Sequence, residues 1–201
     1  MQIETEHLCI RNFNELETEA LYKIKTDAQV LEFIPNFLKR DAKPEEMQEY
    51  IRQFNEMEQD SDITSWRCYA IELKRTGEVV GCLSFGKNGL LFEYELGWEM
   101  MGQYTRQGYA SEAAQAFAEY FCETYDVDYL IAVMDTDNGA SYRTAEKSGF
   151  KLFEKRTVYD YSYNRYCDDY FYFRRYYSKC DLKEKYYGDT PYDGRSKDGD
   201  A

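Results

Sequence analysis

A chain of 201 residues has room for one domain with a substantial core and little room for a second. With 43% hydrophobic residues it is globular rather than disordered, and a formal net charge of -13 argues against nucleic acid and anionic membranes as direct partners while suiting cations such as amines. The same acidity also reads simply as a solubility device.

No run approaches the roughly 20 apolar residues of a membrane span. The opening MQIETEHLCIRNF lacks the basic start and apolar stretch of a signal peptide, so the expected location is cytoplasmic. Cys9, Cys68, Cys82, Cys122, Cys167 and Cys180 form no C-x-x-C pair, and four of them lie in apolar runs, the pattern of reduced, buried thiols.

Residues 7–13 alternate and read as a first strand. A helix follows over 14–27, with Asn14 as its cap and Leu16, Ala20, Leu21 and Ile24 as its apolar stripe. Pro35 and Pro44 break the next segment. A second helix starts at Pro44, with Glu45 and Glu46 at the positive end of its dipole and Met47, Tyr50, Ile51 and Phe54 on its buried face. From Trp66 the period shortens to two: WRCYAIELKR, a Thr76-Gly77 turn, EVVGCLSFG, a turn at 87–89, and LLFEYELGWEM predict a three-strand antiparallel meander. In its last strand Phe92, Tyr94, Leu96, Trp98 and Met100 share one face, and Glu93, Glu95 and Glu99 the other, with Gly97 between them.

QYTRQGYASEA then enters an alanine-rich amphipathic helix through Ala113, Ala114, Phe117, Ala118 and Phe121. DYLIAVMD has the nearly continuous apolar content of a strand covered on both faces. A short helix is entered at Asn138 and closed by Gly149, and two strands follow over 151–161 and 168–177. Residues 181–201, rich in Lys, Asp, Gly and Tyr, read as a loosely held tail outside a single domain of 1–180. No internal repeat is visible.

The chemistry concentrates at TRQGYA. A helix N-terminus carries amides without intrahelical partners and a partial positive charge, and Gly108 permits close backbone approach, so an exposed one seats an anion. One glycine alone is also ordinary turn chemistry. Neither a dinucleotide fingerprint, which needs more glycines, nor a Walker A loop, which needs Gly-Lys-Ser/Thr, is present. No His, Cys or Asp grouping has metal-ligand spacing, so no metal is expected. His7 reads as a packed or surface histidine, and Tyr170 to Phe173 as core before substrate wall.

The combination ELGWEM, MGQY and TRQGYASEA, followed by Asn138, Ser141, Glu146, Lys147, Gly149 and Phe150 in an N-x-x-S…E-K-x-G-F order, resembles the GNAT N-acetyltransferases. The likeness is to the branch containing the ribosomal-protein N-terminal acetyltransferases, and it runs in element order over 7–176. It implies an α/β fold with a mixed, mostly antiparallel sheet of about seven strands, splayed at the coenzyme A site, and helices on both faces. It also implies acetyl-CoA as cosubstrate. The pyrophosphate would rest on the backbone of Arg106, Gln107, Gly108, Tyr109, Ala110 and Ser111, and the pantetheine arm would lie near Met100 and Met101, met from the other side by Asn138 and Ser141. Asn138 reads equally as a helix cap.

The implied reaction is direct attack of a neutral amine on the thioester, on a peptide or protein N-terminus or a cationic small molecule, by a monomer or homodimer. Glu95 is the candidate base, weighed against an acidic face without catalytic role. Two departures from the family pattern matter. Ala145 stands where a tyrosine often protonates the leaving thiolate, which leaves Ser141, Tyr142 or water for that task. Thr105 stands where the loop often begins with Arg or Gln, and Arg106 then supplies the charge. The absent tyrosine admits a rival from another class: a catalytically silent protein of the same fold that binds acyl-CoA as a sensor or interaction partner.

Overall fold

The computed structural model describes residues 1–34, 43–58, 63–88, 92–125, 127–160 and 165–176, with the side chains of 157–160, 165–170 and 176 excepted. The predicted Pro35 break, the Gly89 turn residue, the Cys167 and Cys180 thiols and the 181–201 tail lie outside the described parts. The short strand β1 (Gln2–Glu4) pairs antiparallel with β2 (Leu8–Asn12), followed by helices α1 (Thr18–Thr26), α2 (Ala28–Phe33) and α3 (Met47–Glu58). The meander β3 (Arg67–Leu73), β4 (Glu78–Lys87) and β5 (Tyr94–Met100) leads into α4 (Tyr109–Thr124), β6 (Tyr129–Asp135), α5 (Gly139–Lys147), β7 (Lys151–Asp160) and β8 (Arg165–Tyr176).

The strands form one eight-stranded sheet in the order β1-β2-β3-β4-β5-β6-β8-β7. Every neighbouring pair is antiparallel except β5 and β6, which run parallel because α4 carries the chain back between them. The sheet has one strand more than the sequence suggests. β1 is three residues long, too short for a period-two pattern to show, and it forms by pairing with β2.

Helices cover both faces. On one, α4 buries Ala113, Ala114, Phe117, Ala118 and Phe121, and the rings of Phe117 and Phe121 meet Phe85 of β4. Tyr94 of β5 also points there, 6.1 Å from the Phe121 ring. Strand alternation therefore sends Glu95, Gly97 and Glu99 to the opposite face, where α1 lies. Lys25, in the last turn of α1 and 1% exposed, meets Glu99 at 2.5 Å. Two residues on, Asp27 accepts from the Gln29 amide to cap α2 and from the Gly102 amide at 3.0 Å. The α1–α2 corner is thus fastened twice to the end of β5, by an ion pair and by a charge-assisted hydrogen bond.

Three expectations change. Asn14 does not cap α1; its side chain accepts from the Leu16 amide in a turn ahead of the helix, which starts at Thr18 behind Glu17. Leu16 consequently leaves the apolar stripe and is 86% exposed. Phe92 does not belong to the buried face of β5: it precedes the strand with φ of 57°, and its ring is exposed. The second helix starts three residues later than expected: Pro44–Glu46 form a 3-10 turn and α3 begins at Met47. The last strand of the meander begins at Tyr94, while α5 has its expected cap at Asn138, and Cys9, Cys68, Cys82 and Cys122 are buried free thiols.

The buried pair sets the first test. Removing one partner leaves a desolvated charge, which costs about 3–5 kcal/mol, whereas an apolar pair of similar volume is often neutral. Lys25→Met should lower stability by about that amount in denaturant titration, and adding Glu99→Leu should restore most of it.

Candidate active site

The site starts where β5 and β6 part. These parallel strands share a single register pair, Glu95 with Ile131, so β5 continues from Leu96 to Met100 bonded to β4 on one side and open on the other. Beyond that pair the Val133 amide of β6 donates to the Glu95 carboxylate instead of to a rung of the ladder. Asn88, at the end of the β4–β5 hairpin, donates to the same carboxylate at 2.6 Å. Glu95 keeps a partly exposed edge, yet protein crowds it closely. Burial is the largest influence and pushes its carboxyl up to about 7, against the downward pull of Asn88 and the Val133 amide.

At the other end of β5 the chain turns through Gly102–Tyr104 into α4. The N-cap of α4 is Gly108 with φ of 89°, and no side chain caps the helix. Arg106 also adopts a left-handed conformation, with φ of 62°, an uncommon state for a residue with a Cβ. The two turns aim the backbone outward. Among the described residues nothing accepts from the amides of Arg106, Gln107, Gly108, Tyr109, Ala110 or Ser111, the first internal bond being Glu112 to the Gly108 carbonyl. Arg106, Gln107 and Gly108 are exposed. Ser111 turns its hydroxyl back to Gly108, and Thr105 does the same to Gly102, so these side chains tighten the loop.

Glu112, in the first turn of α4, does not point at those amides. Its carboxylate accepts from the Thr5 hydroxyl at 2.6 Å and the His7 amide at 2.9 Å, and lies 3.0 Å from His7 Nδ1. The β1–β2 turn is thereby tied to the start of α4. His7 is a half-exposed surface residue that also lies against Glu6 and the Tyr109 ring.

The far wall comes from α5. Asn138 is its cap, its oxygen accepting from the Ser141 amide at 3.0 Å, which leaves the side-chain amide nitrogen for other partners. Ser141 Oγ accepts from the Trp98 indole at 3.3 Å, so a side chain of β5 and one of α5 meet across the opening. Tyr142 is committed elsewhere, edge-on to Phe171 and Phe173 with centroids 5.1 Å away in each case. Ala145 is fully buried. Met100 and Met101 are both buried at the β5 end, and Met101 donates to the Val80 carbonyl, away from the opening.

The row of glutamates read from the sequence separates into three environments. Glu95 sits at the parting of the strands, and Glu99 is locked to Lys25. Glu93 accepts from Tyr129 at 2.6 Å, from Arg174 at 3.0 Å and from Tyr172. Arg174 is itself sandwiched, 3.9 Å from the Phe153 centroid and 4.7 Å from that of Tyr129. The aromatic segment at β8 is core: Tyr172 and Phe173 are buried, and the Tyr170 side chain lies outside the described parts. Sequence reading missed Asn88, the Val133 amide and the Trp98–Ser141 contact. Only the hairpin register, which places Gly86 opposite Glu95, would have brought Asn88 near.

Among the described residues no His, Cys, Asp and Glu group could hold a metal ion, and no helix is long and apolar enough to cross a membrane.

Residues 7–151 match the family described as acetyltransferase (GNAT) domain. YnaD of Bacillus subtilis, named an uncharacterized N-acetyltransferase, is 30% identical over 179 residues, covering 86% of this chain and 95% of its own. The crystal structure of a GNAT-family acetyltransferase from Bacillus anthracis has a TM-score of 0.70 at 25% identity and covers 88% of this chain and 98% of its own. A ribosomal L7/L12 alpha-N-protein acetyltransferase in complex with coenzyme A shares the fold at a TM-score of 0.72 and 20% identity, with 88% and 98% covered.

Glu95 predicts a pH signature of stability. Its folded value lies above that of an unfolded glutamate, so its favourable contribution is complete at low pH and is lost as pH rises through about 7. The wild-type melting temperature should therefore fall, relative to that of Glu95→Gln, between pH 5 and pH 8.

Proposed function

The chain belongs to the GNAT acetyltransferase family, and we propose that it transfers the acetyl group of acetyl-CoA to the amine of a cationic acceptor, a peptide N-terminus before a small molecule. The observation that carries this reading is the parting of β5 from β6, with a carboxylate near 7 at its apex and the unpaired amides of the α4 turn at its mouth.

The residues present fit the cosubstrate. A pyrophosphate matches the outward amides of Arg106 to Ser111, reinforced by the helix dipole and the Arg106 charge. A pantetheine arm, itself amide-bearing, matches the open edge of β5 towards Met100 and Met101, with the Asn138 nitrogen and Ser141 facing it. Bound there, acetyl-CoA supplies the thioester.

The chain's own groups then move protons. An amine arrives as ammonium, and Glu95 at about 7 is ionised in a useful fraction of molecules at neutral pH, so it accepts the proton directly or through water. As the new N–C bond forms and the C–S bond breaks, the nitrogen releases its second proton to solvent, and the Ser141 hydroxyl gives its proton to the departing thiolate and is reprotonated from solvent. Ser141 is assigned this role because its hydroxyl meets Trp98 at the opening and Ala145 has no proton to give.

The acceptor class rests on charge and on likeness. A net charge of -13 and the half-buried Glu95 carboxyl favour a cation. The fold neighbour named for alpha-N-protein acetylation adds weight to a peptide amine. Ala145 supports the second reading, a silent acyl-CoA binder. Thiol release from acetyl-CoA over a panel of free-N-terminus peptides and polyamines, beside calorimetry with CoA, separates the two: tight binding without release on any amine establishes the silent binder.

Glu95→Gln should lower kcat roughly 100-fold and abolish its rise through pH 7 while preserving CoA affinity. Gly108→Val should keep the fold, because a Cβ there meets nothing within 4 Å, but the side chain at φ of 89° is strained and crowds the amide nest. CoA affinity in that variant should fall about tenfold or more, and an unchanged affinity would remove the pyrophosphate from this turn.

A further inference from the structure

We propose that Trp98 is a positioning residue for acetyl transfer, holding and polarising Ser141 as the acid that protonates the leaving thiolate. The inference rests on the Ser141 role just given.

Trp98 lies beyond the last β5–β6 pair, on the stretch of β5 whose edge is open. Its indole N–H reaches Ser141 Oγ at 3.3 Å, and its ring is braced edge-on by Phe150 at 6.1 Å. Ser141 is fixed from behind by its own amide bond to Asn138. Its hydroxyl oxygen thus receives a donor, while its own proton goes to no acceptor among the described residues. An indole can only donate, so the geometry has one sense: Trp98 gives, Ser141 accepts, and the serine proton is left for a third group.

That arrangement has two chemical effects. A donor on one lone pair restricts rotation of the hydroxyl, which selects directions for its O–H. The same donor stabilises the oxygen as it loses its proton, and hydrogen bonds to a group gaining charge are stronger than those to the neutral form. Both effects act at the step in which the C–S bond breaks and the thiolate takes the serine proton. Neither acts on binding of the pyrophosphate, which is held at the α4 turn.

The test is a double-mutant cycle on the full chain. Trp98→Phe removes the donor and keeps an aromatic ring; replacement of Trp98 by benzothienylalanine, which exchanges N–H for sulfur at nearly constant shape, covers the case in which the Phe variant folds poorly. Each is made alone and with Ser141→Ala. The readouts are kcat with the best acceptor of the amine panel and CoA affinity by calorimetry. Loss of the N–H should lower kcat about 10- to 100-fold with CoA affinity unchanged, and should cost nothing further once Ser141 is alanine. A normal kcat, an equal loss in both serine and alanine backgrounds, or a parallel loss of CoA affinity overturns the proposal. Ser141→Ala at full rate, or no acceptor turned over at all, overturns the Ser141 reading itself; a slow Ser141→Ala beside a normal Trp98 variant overturns only the role of Trp98.

Discussion

The site exists because two parallel strands stop pairing. β5 and β6 share one rung, at Glu95 and Ile131, and everything useful follows from what replaces the missing ones. Backbone groups that a continuous sheet would have consumed remain on the β5 edge. The Val133 amide turns to a side chain, and that side chain is the carboxylate with the most perturbed proton affinity around the opening. A sheet can tolerate such a gap only if the strand left behind is held from its other side, which β4 does along the whole of β5.

The same strand distributes its acids by environment. Glu99 is paired with Lys25 and serves the architecture, fastening the α1–α2 corner to β5. Glu93 is saturated by two tyrosines and an arginine, so it serves the packing of β6 against β8. Glu95 alone is both desolvated and lightly partnered, by an amide side chain and a backbone N–H, neither of which carries charge. Three glutamates within seven residues of sequence thus become a brace, a saturated cluster member and a titratable group, although an alternation pattern treats them alike.

What was legible in the sequence was what is local. The Gly108 entry to α4, the Asn138 cap and the Gly149 stop each depend on a few consecutive residues, and the ordered pair of motifs at 103–113 and 138–150 pointed to the family before any geometry was known. What was not legible joins distant residues. Lys25 and Glu99 are 74 positions apart, and Trp98 and Ser141 are 43 apart; no periodicity connects them. Leu16 and Phe92 show the opposite failure, in which the pattern continues two residues beyond the element that produces it. The Asn14 turn and the left-handed Phe92 backbone are the local events that ended each pattern.

The knot at Glu112 carries a consequence for the ends of the fold. Its carboxylate joins the first turn of α4 to Thr5 and His7, so the start of that helix and the hairpin at the sheet's outer margin are one mechanical unit. On the proposed reading thermodynamic linkage runs both ways: an anion bound at the α4 turn also protects the β1–β2 hairpin from local opening, and whatever frays that hairpin weakens the hold on the anion. On that same reading β1, the shortest of the described strands, reports occupancy of the α4 turn through its amide-exchange rate.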